Sequence, residues 1–456
     1  MTSSATTETT ASTAAPATTA STATILNNRR ALRICTAGSV DDGKSTFVGR
    51  LLHDTKSVLS DQLEAVAASS SKRGFDGLDF SLLVDGLRAE REQGITIDVA
   101  YRYFATDQRS FILADTPGHV QYTRNTITGM STAEVVILLI DARYGVVEQT
   151  KRHLHIAALL GIQDVIIAVN KIDLVGYDQA VYEDIQAQLA DALAEFDALA
   201  PRNTRVVPIS ALAGDNVVER SAHTPWYDGQ PIVELLDTIQ PAESDIAAGL
   251  DFRFPIQYVI REPQTDYRGY AGRVTTGAIA VGDAVTVSGG RTSTVVGIDT
   301  ADGQLQEAHS GDSVVLRLAD EIDLVRGDFI SAGSSPRSTR KFTATLVGLS
   351  DKGVRAGQKL HLLYDSGKYK ARVASIETSH DRTVQAQEQP APEQTAQAQP
   401  QPTQPQLALN EIATVELETA VEIAVDDYAA RGKRGAFVLA DPHDGNSLAA
   451  GLIGQK

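Results

Sequence analysis

The chain has 456 residues, a formal net charge of −17 and a hydrophobic fraction of 42%. That length exceeds what one hydrophobic core usually serves, so we expect two to four domains. The acidic charge disfavours nonspecific nucleic-acid binding, and no apolar run approaches the ~20 residues that a membrane-spanning helix needs. A single cysteine, Cys35, excludes an internal disulfide and a thiolate metal cluster, which suits a reducing cytoplasmic compartment.

The amino-terminal segment is rich in Thr, Ala and Ser. It lacks the basic start and the apolar stretch of a secretory signal. We therefore expect residues 1–27 to form a disordered tail, because such a composition cannot bury a core.

Short apolar runs rich in β-branched residues follow, and each ends in turn or polar residues. They lie at 31–37, 110–114, 134–140, 164–169 and 205–209. Helical patterns at 148–160 and 178–199 separate them, and residues 99–105 alternate like an antiparallel edge strand. Continuous apolar strands between helices predict a mostly parallel sheet with helices on both faces. We assign this α/β domain to residues 28–245.

The pattern changes after about residue 245, where helical periodicity fades. Short β-rich runs occur at 252–260, 272–280, 283–288, 293–298 and 313–318. Evenly spaced short strands with turn residues between them predict a small antiparallel barrel, which we assign to 250–337. A second β-rich block, 338–456, predicts another barrel, with a Gln/Pro-rich insertion at about 385–407.

The first chemical motif follows the first predicted strand and precedes a helix. Its residues are Gly38, Ser39, Val40, Asp41, Asp42, Gly43, Lys44 and Ser45. They fit the phosphate-loop pattern, in which glycines let successive backbone N–H groups and a helix N-terminus point at an anion. Lys44 is expected to reach the β- and γ-phosphates, and the Ser45 hydroxyl to bind Mg²⁺.

A second motif follows the strand at 110–114. It consists of Asp115, Thr116, Pro117, Gly118 and His119. The Asp115 carboxylate can reach the Mg²⁺ shell through water, and the Gly118 N–H can bond the γ-phosphate. His119 is a candidate catalytic residue that orients the attacking water. This motif is common by itself, and an isolated histidine is more often structural.

A third motif selects the base. Asn170, Lys171, Ile172 and Asp173 follow the strand at 164–169, and Ser210, Ala211 and Leu212 follow the strand at 205–209. A carboxylate here accepts bonds from the N1–H and N2–H₂ groups of guanine, which adenine lacks, and a site that needs such donors rejects a base without them. A backbone N–H of the 210–212 loop would bind the guanine oxygen. The motif therefore predicts GTP rather than ATP.

The fourth element is the stretch 90–97, Glu-Arg-Glu-Gln-Gly-Ile-Thr-Ile. Thr96 is expected to close over Mg²⁺ and the γ-phosphate and to release after hydrolysis, as an order–disorder switch. The candidate catalytic residues are thus His119, Lys44 and Thr96, and the candidate Mg²⁺ ligands are Ser45, Thr96 and Asp115. Four motifs in this order, at strand ends of one sheet, predict a GTP-hydrolysing site far more strongly than any one alone.

These motifs together resemble those of the translational GTPases, elongation factor Tu and its relatives. The resemblance implies an α/β P-loop GTPase domain followed by two antiparallel β-barrels. The loop Ser-Val-Asp-Asp-Gly-Lys-Ser and the stretch from Leu87 to Phe104 are more similar to the large, GTP-binding subunit of bacterial sulfate adenylyltransferase. So are the segments 119–125, 214–218, 225–227, 254–261 and 268–272.

That second resemblance implies a heterodimer. Its small subunit would bind ATP and sulfate and form adenosine 5′-phosphosulfate and pyrophosphate, while this chain would couple GTP hydrolysis to that uphill step. Some members of the family carry a fused adenylylsulfate kinase. We expect none here, because the sequence shows no second phosphate loop.

Two other functions stay open at this point. The three-domain layout also fits a translation factor that delivers aminoacyl-tRNA, and a scaffold that binds GTP without hydrolysing it would carry the same base-reading motif. The acidic charge and the segments similar to the large subunit of sulfate adenylyltransferase favour a GTPase subunit of that enzyme. We expect neither nucleic acid nor a membrane as a partner.

Overall fold

The computed structural model describes ten stretches of the chain. They are 31–72, 78–84, 98–119, 122–196, 200–240, 249–262, 264, 266–378, 406–428 and 434–454. The tail at 1–27 and Thr96 lie outside the described residues, as does most of the Gln/Pro-rich insertion. The last two residues of that insertion, Gln406–Leu407, form a short strand.

A six-stranded sheet organises the first half of the described chain. Its strands are β1 (Leu32–Gly38), β2 (Ala100–Ala105), β3 (Ser110–Asp115), β4 (Val135–Asp141), β5 (Asp164–Asn170) and β6 (Asn203–Pro208), in the order β2-β3-β1-β4-β5-β6. All neighbours pair in parallel except β2, which runs antiparallel to β3 at one edge. The predicted parallel sheet and its antiparallel edge strand are confirmed.

Helices cover both faces of this sheet. They are α1 (Lys44–Asp54), α2 (Ser60–Lys72), α3 (Thr123–Thr132), α4 (Glu148–Leu159), α5 (Gln179–Ala194) and α6 (Ile232–Thr238). In β4, Val135, Ile137 and Leu139 pack in the same core as side chains of α1 and α6. The alternate residues of β4 pack with α3, α4 and α5 on the other face. Because both faces are buried, the strand carries an unbroken apolar sequence.

Nine strands form the next body. They are β7 (Arg253–Glu262), β8 (Tyr267–Arg273), β9 (Ala278–Ala280), β10 (Ala284–Val287), β11 (Thr292–Thr300), β12 (Gly303–Leu305), β13 (Glu307–His309), β14 (Ser313–Leu318) and β15 (Phe329–Ser331). The order β10-β15-β7-β8-β14-β11 closes on itself through the β10–β11 pairing. One predicted strand, 272–280, is wrong, because the chain turns between β8 and β9. Gly277 has φ of +70° there, and a Cβ on it would lie 2.7 Å from the Leu250 carbonyl oxygen.

The remaining strands of the described chain are β16 (Arg337–Gly348), β17 (Val354–Arg355), β18 (Lys359–Tyr364), β19 (Gly367–Thr378), β20 (Gln406–Leu407), β21 (Ile412–Val425), β22 (Ala436–Ala440) and β23 (Ser447–Ile453). Six of them form a closed antiparallel barrel in the order β16-β21-β19-β18-β22-β23. The short strands β17 and β20 pair with each other beside the barrel. One apolar core fills its interior.

This last barrel contacts both other bodies. Its Val347 and Leu452 pack into a core of the α/β domain, and the Tyr428 hydroxyl donates to the Leu160 carbonyl at 3.0 Å. Toward the first barrel, Arg253 pairs with Asp426 at 3.0 Å. No helix among the described residues has the length and apolar character needed to cross a bilayer.

Replacing Gly49 in α1 by alanine tests the packing of this helix. An alanine in a helix normally stabilises by ~0.5–1 kcal/mol relative to glycine. Here the new Cβ would lie 2.0 Å from the carbonyl oxygen of Phe80. We expect the opposite sign, a loss of about 1–3 kcal/mol from overpacking. Urea denaturation followed by the fluorescence of Trp226, the one tryptophan of the chain, measures it. A stabilised G49A variant would contradict the described contact.

Candidate nucleotide-binding site

The predicted motifs meet at the carboxyl edge of the parallel sheet. Gly38 ends β1, Asp115 ends β3 and Asn170 ends β5. Their strands are in register, with Thr36 opposite Asp115 and Asp141 opposite Asn170. Ligands of such sheets bind outside these strand ends. The structure thus brings the first three predicted motifs and the 210–212 loop together, while Thr96 lies outside the described residues.

The loop between β1 and α1 has the backbone of an anion cradle. Gly38, Asp41 and Gly43 have φ of +151°, +64° and +90°. A Cβ on Gly43 would lie 2.4 Å from the Asn170 amide nitrogen, so only glycine fits there. Helix α1 begins directly afterwards at Lys44, and no side chain caps it. Its first-turn N–H groups and its dipole therefore face the loop, where they can bind phosphate.

Lys44 is folded back onto this loop. Its side chain is buried, and the ammonium donates to the carbonyl oxygens of Gly38 at 3.1 Å and Ser39 at 2.5 Å. Burial lowers the pKa of Lys44, while the carboxylates of Asp42 and Asp115 oppose that change. The two hydrogen bonds hold the Lys44 side chain against neutral carbonyl oxygens at the mouth of the cradle. Anionic phosphate oxygens would be stronger acceptors for it.

Asp115 and Thr116 are locked to β1. Asp115 is fully buried, and the Thr36 hydroxyl donates to its carboxylate at 2.8 Å. The Thr116 hydroxyl donates to the Thr36 carbonyl at 2.6 Å. This cross-strand pair fixes the direction of the Asp115 carboxylate, so its orientation does not have to be established when a ligand arrives.

Gly118 lies directly on the phosphate loop. A Cβ on it would fall 2.3 Å from the Lys44 ammonium and 2.8 Å from the Ser39 carbonyl oxygen. The Pro117 carbonyl before it accepts the Thr126 hydroxyl at 3.1 Å, which anchors the turn to α3. His119 follows, half-buried, with its ring centroid 6.1 Å from that of Tyr122. His119 therefore follows directly on the glycine that lies against the Lys44 ammonium.

The Asn170 side chain joins three loops. Its amide N–H donates to the Asp42 carbonyl at 2.7 Å, and its oxygen accepts the Ala211 N–H at 2.9 Å. Asn170 and Ile172 are buried, while Asp173 is partly exposed at the same edge. Ser210 is buried, and its hydroxyl accepts the N–H of Ala213 at 3.2 Å. Leu212 is half exposed.

Sequence reasoning missed Asp141 at the end of β4. Its carboxylate is buried and binds the Arg143 guanidinium at 2.7 Å and the Lys171 ammonium at 3.0 Å. Lys171 also donates to the Asp41 carbonyl of the phosphate loop. Burial raises the pKa of Asp141, but hydrogen bonds from Arg143 and Lys171 outweigh it and hold the pKa at about 2. Its position at a strand end beside Asn170 was the signal that could have found it.

The donor set fits Mg²⁺. Ser45 follows Lys44 in the first turn of α1, and Asp115 supplies a carboxylate at the adjacent strand end. The described residues contain no cluster of three or more His, Cys, Asp or Glu that would form an all-protein metal cage. Mg²⁺ is usually held by one or two carboxylates together with substrate phosphates and water. A hydroxyl and a carboxylate beside an anion cradle match that preference.

The fold and the site define a GTPase of the translation-factor type. Residues 29–243 match the family model of the elongation factor Tu GTP binding domain, and residues 341–454 match that of the GTP-eEF1A C-terminal domain-like family. The chain is 45% identical over 429 residues to sulfate adenylyltransferase subunit 1 of Teredinibacter turnerae, covering 93% of this chain and 87% of that protein. The chain belongs to the sulfate adenylyltransferase subunit 1 family.

Two other relatives agree with this placement. The chain is 47% identical to sulfate adenylyltransferase subunit 1 of Laribacter hongkongensis, over 92% of this chain and 85% of that protein. It is 44% identical to the bifunctional enzyme CysN/CysC of Mycobacterium tuberculosis, over 92% of this chain and 67% of that protein. The predicted family and fold class are therefore confirmed.

Asp141→Asn is expected to destabilise the α/β domain near neutral pH, because a neutral amide leaves Arg143 and Lys171 without their counter-charge. The pKa of Asp141 falls from its ordinary 3.8 to about 2 on folding. A carboxylate with a depressed folded pKa stabilises fully above its unfolded pKa and loses that contribution as pH falls through its folded pKa. The stability difference between wild type and D141N should therefore be constant above roughly pH 5 and shrink toward pH 2.

Urea denaturation of both proteins at a series of pH values, followed by Trp226 fluorescence, measures this difference. A stability difference between the two proteins that stays unchanged down to pH 2 would show that the Asp141 charge does not stabilise the α/β domain.

Proposed function

We propose that this chain is the GTP-hydrolysing subunit of a sulfate adenylyltransferase. It couples GTP hydrolysis to the formation of adenosine 5′-phosphosulfate and pyrophosphate from ATP and sulfate, the first step of sulfate assimilation. The observation that carries the proposal is the convergence of Lys44, Asp115 and Asn170 at one sheet edge in a member of this family. The printed names of the relatives support the sulfate adenylyltransferase part.

The phosphate end of the site consists of residues 38–45 and the turn at 115–118. Backbone N–H groups of the loop and of the first turn of α1 receive the phosphates. Lys44 exchanges its carbonyl partners for phosphate oxygens, and the Gly118 N–H meets the γ-phosphate. Ser45 and, through water, Asp115 would hold Mg²⁺, which would supply positive charge to the phosphate oxygens. Thr96 as a further Mg²⁺ ligand and switch stays a prediction.

The base end consists of residues 170–173 and 210–212. Asp173 accepts from the N1–H and N2–H₂ groups of guanine, which excludes adenine. Asn170 holds the two base-binding loops against the phosphate loop. Ile172 is fully buried beneath the loop and fixes its backbone. A backbone N–H of the 210–212 loop donates to the guanine oxygen.

Hydrolysis needs a group that orients water toward the γ-phosphate. His119 is the candidate, because it is half-buried and follows Gly118, which lies against the Lys44 ammonium. Its imidazole can accept a proton of the water or orient it through a hydrogen bond. Lys44 contributes by stabilising negative charge on the phosphate oxygens.

The partner is a small subunit that binds ATP and sulfate. The name "subunit 1" of the relatives supports a second subunit, and the heterodimer is our proposal. We place the complex in the cytoplasm, where both nucleotides and a reduced Cys35 occur together. The domains proposed are a tail at 1–27, the GTP-binding domain at 28–245 and barrels at 250–337 and 338–456. Nucleic acid and membrane are not proposed as partners.

Asp173→Asn tests the base end. The amide loses the charge that attracts the two guanine donors, so GTP affinity should fall at least about 10²-fold. Xanthine carries a carbonyl in place of the guanine amine, and the side-chain amide N–H of the D173N variant can donate to it. Xanthosine triphosphate should therefore gain affinity. Calorimetric titration with GTP, XTP and ATP in magnesium measures all three affinities. Wild-type protein that holds ATP as tightly as GTP would refute the guanine site.

Adding the chain and GTP to the small subunit tests the coupling. Sulfate-dependent release of pyrophosphate from ATP should rise, because GTP hydrolysis drives an unfavourable anhydride formation. His119→Ala should bind GTP normally but hydrolyse it roughly 10²-fold more slowly, and the stimulation should fall with it. His443→Ala, at an exposed histidine of the second barrel, is the matched control and should behave as wild type.

Sulfate-dependent pyrophosphate release that does not change when this chain and GTP are added would refute the sulfate adenylyltransferase assignment. Tight, GTP-dependent binding of charged tRNA in a filter assay would support a translation factor in its place. Unchanged GTP turnover in H119A would remove His119 from the catalytic residues.

A further inference from the structure

Arg50 joins the helix that begins at the phosphate loop to the loop that reads the base. It lies on α1, the helix that starts at Lys44, and its side chain is 15% exposed. Its Nε donates to the Ala211 carbonyl at 3.1 Å, and a terminal N–H donates to the Leu212 carbonyl. The guanidinium thus binds two successive carbonyl groups of the 210–212 loop.

Other groups fix the direction of this guanidinium. Its central carbon lies 3.9 Å from the centroid of the Phe80 ring, in cation–π contact. The Asp54 carboxylate, one turn along α1, lies 3.6 Å from a terminal nitrogen. A planar guanidinium that is stacked and paired loses little further freedom when it binds carbonyls, because its donors already point in fixed directions. Arg50 is therefore built as a rigid clamp on the loop.

The clamp determines where the loop's N–H groups point. The described peptide bonds are all trans, and in a trans peptide the C=O and the following N–H point in opposite directions. When the Ala211 carbonyl faces Arg50, the Leu212 N–H points away from α1. The preceding N–H, that of Ala211, already donates to Asn170. Asn170 therefore fixes the peptide group between Ser210 and Ala211. Arg50 fixes the next one, between Ala211 and Leu212.

We propose that Arg50 is a positioning residue for guanine recognition, acting through the carbonyls of Ala211 and Leu212. By holding the loop, it aligns a backbone N–H with the guanine oxygen and strengthens the binding of guanine nucleotides. This inference rests on the guanine site proposed above. It adds a residue from the phosphate-binding helix to the group that selects the base.

The test uses calorimetric titration of the full chain with GDP and with 6-thio-GDP, in which sulfur replaces the guanine oxygen. Sulfur is a weaker hydrogen-bond acceptor, so wild type should prefer GDP. Arg50→Ala should weaken GDP binding about tenfold, the effect of losing a charge-assisted hydrogen bond, and weaken 6-thio-GDP binding much less. The ratio of GDP affinity to 6-thio-GDP affinity should therefore be smaller in R50A than in wild type.

Two further variants complete the experiment. Arg50→Lys keeps the charge, but a lysine cannot stack flat on Phe80 and bind both carbonyls. It should therefore also reduce the preference for GDP over 6-thio-GDP. If R50A does not fold, R50K tests the proposal in its place. Arg205→Ala is the matched control. Arg205 pairs with Asp164 at the amino end of β5, at the opposite edge of the sheet from the strand ends that form the site, so both affinities should stay as in wild type.

The outcomes separate the two proposals. Equal losses for GDP and 6-thio-GDP, or no loss for either, in both Arg50 variants would overturn the positioning role while leaving the guanine site intact. Wild-type protein that binds neither ligand in magnesium would overturn the guanine site and, with it, this inference.

Discussion

The buried amide of Asn170 is the contact on which the rest of the site depends. It binds the backbone of the phosphate loop at Asp42 on one side and that of the 210–212 loop at Ala211 on the other. Because both partners are backbone groups, the amide fixes the separation between the ends of the nucleotide site regardless of the neighbouring side chains. A buried amide that lost either partner would leave an unsatisfied polar group, which is costly in a dry interior. A second link uses charged groups. The Lys171 ammonium binds the Asp141 carboxylate at the end of β4 and the Asp41 carbonyl of the phosphate loop.

The sequence allowed prediction of those parts of the fold that depend on local pattern. Unbroken apolar runs marked strands β1, β3, β4, β5 and β6 within a residue or two, because burial on both faces requires such runs. The motifs at their ends were placed correctly at one edge. The strand predicted at 272–280 is wrong. The β-rich composition continues through the turn at Gly277, and the hydrophobic pattern does not indicate that this glycine has a positive φ.

The contacts that the sequence could not show are those between distant residues. Arg50 and Leu212 lie far apart along the chain, and nothing in the composition of α1 indicates that its arginine faces a loop after β6. The packing of Val347 and Leu452 against the α/β domain is of the same kind. Asp141 is different, because its place at the end of β4 beside Asn170 followed from the predicted sheet and only its role was overlooked. Roles of side chains depend on partners, and partners depend on tertiary structure.

The position of Lys44 also shows how the phosphate loop accommodates a cation that is buried among its own residues. The Lys44 ammonium donates to the carbonyl oxygens of Gly38 and Ser39, so the charge is hydrogen-bonded within the loop. A buried charge or donor without partners would be costly. Because these two carbonyls lie at and just after the end of β1 and the lysine begins α1, the side chain holds the end of the strand to the start of the helix. Lys44 therefore has a structural role in the conformation of the loop, in addition to the role proposed for it at the phosphate end of the site.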